Sequence, residues 1–92
     1  MTEQHSLSES IRRIQNMEAC FDALQTAMEE NPAAVWEDTA LNHLLQDLTR
    51  YYESGQWLRD YELDEKGLLP ADLKRGVLAQ DAVYDLLEQI DR

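Results

Sequence analysis

Only one cysteine, Cys20, stands among the 92 residues. A lone thiol makes neither an intramolecular disulfide nor a cysteine-based metal cage, and it suits a reducing compartment. Basic residues are scarce too: Lys and Arg number 8 against 19 Asp and Glu, a net charge of −11. That imbalance disfavours direct binding to nucleic acid or to an anionic membrane surface, since both would repel the chain. It also favours solubility and attracts basic partners. No apolar run approaches the length of a membrane span. The opening MTEQHSLSES lacks the basic flank and apolar stretch of a secretory signal. A cytoplasmic protein is therefore expected. No segment alternates with period two for long enough to read as a strand, and no glycine-rich phosphate loop is present.

What the chain does have is helical periodicity. Its 43% hydrophobic content is enough for a packed interior, and its length fits one domain with one modest core. Leu7, Ile14, Phe21 and Met28 recur every seven residues, with Met17 and Leu24 between them and Ile11 beside the seam. This spacing predicts an amphipathic helix from about Ser8 to Glu30. Ser6 or Ser8 is placed to cap it, Ser6 with Glu9 in a capping box. Ser10 interrupts the stripe, so the first turns are expected to be frayed or solvated. Asn31-Pro32 ends the helix, because the residue before a proline is biased away from helical geometry.

A second helix carries Val35, Leu41, Leu44, Leu45, Leu48, Tyr51 and Tyr52. Its beginning is weak around Trp36 to Thr39, where Thr39 is placed to cap a later start, and Gly55 closes it. Trp57, Leu58 and Tyr61 read as one apolar-faced turn. Pro70 to Arg75 reads as a short helix started by proline and ended by Gly76. A last helix spans about Ala79 to Gln89, with Ala82, Val83, Leu86, Leu87 and Ile90 on one face. The expected fold is all-α: an antiparallel helical hairpin with a C-terminal helical segment packed across it. Residues 1–92 form a single domain in this reading. Residues 1–7 are a mobile tail, 8–54 the hairpin, and 55–92 short helices with the last helix.

Charge is distributed unevenly. From Ile14 to Thr49 there is no Lys or Arg, while Glu18, Asp22, Glu29, Glu30, Glu37, Asp38 and Asp47 all fall there. An acidic hairpin surface is expected, either as a solvated face or as a docking surface for a basic partner. In the other half Arg59, Lys66, Lys74 and Arg75 alternate with Asp60, Glu62, Asp64, Glu65 and Asp72. Ion pairing explains this better than an anion site, with Lys74-Arg75 complementing the dipole of the short helix.

Tests for chemistry mostly fail. Asp60-x-Glu62-x-Asp64 begins like a calcium loop, but such a loop needs glycine sixth and glutamate twelfth, where this chain has Glu65 and Ala71. His5, in the tail, His43 and Cys20 are too scattered to read as a zinc site. Cys20 beside Phe21 reads as a small buried or boundary side chain. Nothing singles out a carboxylate pair for acid–base work.

The stretch Tyr51 to Leu87 holds five of the seven aromatic residues, all three glycines and both lysines. Its motifs Gly55-Gln56-Trp57-Leu58, Asp60-Tyr61-Glu62, Leu69-Pro70-x-Asp72-Leu73-Lys74-Arg75-Gly76-Val77-Leu78 and Asp81-x-x-Tyr84-Asp85-Leu86-Leu87 resemble those of the DUF4298 family, small bacterial proteins of unknown function. Ala79 departs from the serine expected before the last helix. The resemblance implies a compact helical protein and brings no catalytic residue with it.

The expected role is non-enzymatic protein–protein interaction, with another protein, a basic one included, or a second copy as partner. No cofactor, metal, nucleic acid or membrane is expected to bind. The candidate contact residues are Trp57, Asp60, Tyr61, Lys74 and Arg75, because exposed Trp and Tyr dominate interface energies. Two alternatives are a DNA-mimicking acidic inhibitor of a nucleic-acid-binding protein and, less favoured, a small metal protein or enzyme.

Overall fold

The computed structural model of the protein describes residues 2–79 and 81–90, with side chains from Leu7 onward. Its described residues form five α-helices and one 3₁₀ turn, without a strand. The helices are α1 (Thr2–Glu30), α2 (Ala34–Glu37), α3 (Thr39–Glu53), α4 (Gln56–Glu65) and α5 (Ala82–Ile90), and the 3₁₀ turn is Gly76–Leu78. The hairpin of α1 and α3 is the most extensive pairing, and α5 packs across both. This is the all-α architecture that the periodicity predicts. Among the described residues no helix is long and apolar enough to cross a membrane.

The apolar stripe of α1 faces inward as its spacing requires. Ile14, Phe21 and Leu24 are buried, with Leu7, Ile11, Met17 and Met28 packed partly against the same core. Leu45, Leu48 and Tyr51 of α3, Val83, Leu86 and Ile90 of α5, Val35 of α2, Leu69, and Val77 and Leu78 of the 3₁₀ turn complete it. Two polar residues share the inward side of α1: Ser10 and Glu18 are both buried. Ser10 is not a weak point of the stripe, because its hydroxyl accepts from Arg13 Nη2 at 3.1 Å.

Several local expectations need correction. The segment read as a tail is helical from Thr2, so neither Ser6 nor Ser8 caps α1; the His5 side chain lies outside the described residues. The second helix is broken. Asp38 adopts an extended conformation between α2 and α3, and its side chain, not that of Thr39, accepts from the Leu41 amide at 3.1 Å. The aromatic turn at Trp57 is longer than one turn and forms α4, entered through Gly55 at φ 92°, a left-handed conformation that glycine adopts at little steric cost. Pro70 to Arg75 is not a helix, and Gly76 opens the 3₁₀ turn instead of ending one. The last helix starts at Ala82, so Ala79 is not its cap.

The 3₁₀ turn is held from two sides. The Val77 amide donates to Glu18 Oε1 at 2.8 Å, and the Trp57 indole Nε1 donates to the Val77 carbonyl at 2.9 Å. A β-carbon at Gly76 would stand 3.2 Å from Glu18 Oε2, so glycine makes room for the carboxylate. Glu18→Leu is expected to cost about 1–3 kcal/mol, because the buried Val77 amide loses its acceptor. Glu18→Gln, which keeps a carbonyl oxygen there, is expected to cost less. Urea denaturation of the two variants checks the order.

Candidate functional site

The five residues singled out by sequence meet different fates. Asp60 is fully buried and cannot contact a partner, which corrects its place in the candidate patch. Its carboxylate accepts from Arg13 Nε at 3.0 Å and Arg13 Nη2 at 2.6 Å, a two-pronged pair, and from the Tyr51 hydroxyl at 2.7 Å. The network ties α1, α3 and α4 together. Arg13 is pushed above the usual guanidinium range, mainly by its hydrogen bond to Asp60. Tyr51 is also pushed up, first by burial and then by Asp60.

Trp57 and Tyr61 are half-buried. Their rings stack with centroids 5.1 Å apart, and Tyr52 leans on Trp57 at 5.4 Å. The Tyr61 phenol is shifted up, chiefly by the neighbouring charge of Glu65. Lys74 reaches Asp22 at 3.4 Å across exposed surface, while Arg75 pairs with Asp64 at 2.7 Å. Interleaved charges in the second half are thus partly ion-paired, although Lys74 finds its partner on α1 and not in its own segment.

Carboxylates of the basic-free stretch divide similarly. Glu18 is buried on Val77, Asp22 pairs with Lys74, Asp38 caps α3, and Asp47 lies 3.6 Å from Arg50. Glu29, Glu30 and Glu37 stand exposed near the α1–α2 connection. Among the described residues no three His, Cys, Asp or Glu side chains gather as a metal site would require.

A groove that sequence reasoning missed lies between α3 and α5. Leu45, Thr49, Tyr52 and Glu53 share one face of α3, and Tyr84, Leu87 and Glu88 share one face of α5, as helical spacing dictates. Trp36 and Ile90 close the set around a volume of about 350 Å³. Trp36 is 55% exposed and Tyr84 47%, although both are large apolar side chains. The Trp36 indole donates to the Ile90 carbonyl at 3.2 Å, an acceptor that the end of α5 leaves without an intrahelical donor. This bond holds the ring at the groove's edge. Tyr52 links the groove to the Trp57–Tyr61 stack. Trp36 belongs to no quoted motif, and the Asp81-x-x-Tyr84-Asp85-Leu86-Leu87 motif does not mark Tyr84 as exposed, but both depart from the seam positions of their helices, and that was the available signal.

Residues 14–92 match the family described as a domain of unknown function (DUF4298). The chain belongs to the DUF4298 family. No curated protein and no solved structure shows significant similarity to it. The matched span includes every element except the first part of α1. It therefore takes in the groove, the 3₁₀ clamp and Asp60, while Ser10 and Arg13 lie outside it.

A second cleft of this DUF4298 domain, about 430 Å³, runs between α1 and the segment around Pro70 to Lys74. Three of its charged lining residues engage protein groups, Glu18 with Val77 and Asp22 with Lys74, while Asp72 stands exposed. Cys20 is buried and its thiol is pushed up, first by burial and then by Asp47, the opposite of an activated nucleophile.

Tyr51 gives this domain a pH dependence. Its neutral phenol is favoured in the fold, so its contribution to stability is complete below the ordinary tyrosine pKa of about 10. That contribution is lost as pH climbs above this value toward the raised one. Alkaline titration by near-ultraviolet absorbance is expected to show one tyrosinate appearing together with loss of the helical signal. Tyr51→Phe is expected to remove that coincident step.

Proposed function

We propose that the chain is a cytoplasmic, non-enzymatic protein–protein interaction module that receives its partner in the groove between α3 and α5. One observation carries this reading: two of its most exposed large apolar side chains, Trp36 and Tyr84, border the same groove. Scattered exposed apolar residues are ordinary on a soluble protein, whereas aromatic side chains converging on a concavity are the usual anchors of an interface. The half-buried Leu87 and Tyr52, over the already buried Leu45 and Ile90, supply apolar area to be covered. Trp57 and Tyr61 act in this reading as a stacked support behind Tyr52.

The test compares partners captured from a cell lysate by the parent chain and by Trp36→Ala/Tyr84→Ala. A partner held by the parent and lost by the double variant is expected. Leu58→Ala, which removes an exposed apolar side chain outside the groove, is expected to retain it. Both variants should keep their helical circular dichroism, since Trp36→Ala removes a single hydrogen bond worth about 1 kcal/mol. Equal capture by all three chains rejects the groove as the interface.

A further inference from the structure

Resting on that reading, we infer that the occupant of the α3/α5 groove is a cationic amphipathic helix of a partner protein. Backbone chemistry selects the conformation. Both long walls are α-helices, whose interior N–H and C=O groups are already paired, and the described residues contain no strand edge. An extended peptide laid on Leu45, Tyr52 and Leu87 would therefore bury peptide groups against apolar side chains without a ladder to join. A helix satisfies its own backbone and presents only side chains, the helix-in-groove mode of recognition.

Electrostatics selects the charge. Glu53 and Glu88 stand exposed on opposite walls, one on α3 and one on α5. A helix with its apolar face down between them directs its flanking residues at those two carboxylates. Lys or Arg is favoured there, and the chain's net charge of −11 draws such a segment in from a distance. A second copy of this chain brings the same negative charge to the same rim and is disfavoured.

The experiment uses the full chain and three dye-labelled peptides read by fluorescence anisotropy. The first is a leucine–lysine peptide with helical periodicity. The second replaces lysine by glutamate at every position, and the third has the first one's composition in strict alternation. Binding of the first alone is expected, and the affinity should fall as salt rises. Tyr84→Ala is expected to weaken it about tenfold or more. Glu53→Gln/Glu88→Gln should weaken it about fivefold, while Glu62→Gln/Asp72→Asn, an equal charge change outside the groove, should not.

Failure of the helical lysine peptide to bind overturns the inference, as does equal binding of the alternating or the glutamate peptide. An equal effect of the two double charge variants overturns it as well, since it reduces the attraction to net charge. If groove-dependent capture from lysate persists while the lysine helix fails, the interaction reading stands and only the occupant is wrong. If capture ignores the groove variants, the interaction reading falls too.

Discussion

Asp60→Ala is expected to destabilise the fold by about 3–5 kcal/mol, a large share of the roughly 5–15 kcal/mol that holds a domain of this kind together. The carboxylate has no exposed surface and accepts three hydrogen bonds, two from Arg13 and one from Tyr51. Removing it leaves a buried phenol without its partner and a guanidinium whose side chain is only 21% exposed. Asp60→Asn keeps the shape and one acceptor, so a smaller loss is expected. The converse change, Arg13→Ala, strands a buried carboxylate and is expected to cost as much as Asp60→Ala. Charge, once enclosed, is costly mainly when unpaired. The triple change Asp60→Leu/Arg13→Met/Tyr51→Phe is therefore expected to recover a substantial part of the stability lost by either single alanine variant. Urea denaturation followed by circular dichroism measures all four; a loss below about 1 kcal/mol for Asp60→Ala would show the network to be incidental.

Leu48→Ala is expected to cost about 2–5 kcal/mol. Leu48 is fully buried in the main core cluster, as is Leu24 on α1. The α1–α3 pairing is the most extensive in the molecule, so the cavity opens where the surroundings have least freedom to collapse. Leu41→Ala, at a half-buried position on the same helix, serves as the reference and is expected to lose clearly less. Thermal and urea unfolding of the pair give the difference; since Ala is the better helix former, equal losses would mean that the depth of burial at Leu48 does not set the cost.

Much of this architecture can be read from the chain, and the exceptions share a cause. Ile14, Phe21 and Leu24 announce the inward side of α1 because period alone decides which residues share a face. Glu18 and Asp60 announce nothing, since each lies in an acidic context that reads as solvated surface. Their partners are 59 and 47 residues away, at Val77 and Arg13. Pro70 to Arg75 carries a plausible helix start and stop, yet the tertiary hold on Val77 overrides that local preference. The candidate contact residues fared unevenly for the same reason. Trp57 and Tyr61 sit together as their four-residue spacing requires, but Asp60 beside them points inward. Trp36 belongs to α2 and Tyr84 to α5, and only the packing of both helices against α3 makes them neighbours of one groove.

The clamp on Val77 has a consequence for chain length. Between the end of α4 and the start of α5 the described backbone has little regular structure, and such segments ordinarily tolerate insertions and deletions. Here one residue has its amide claimed by a side chain from α1 and its carbonyl by a side chain from α4. Adding or removing a residue between Glu65 and Val77 offers the wrong peptide group to each claimant and brings a side chain to the place that Gly76 leaves open for Glu18. What looks like a connecting loop is a ruler, its length set by two fixed points on helices that are distant in sequence.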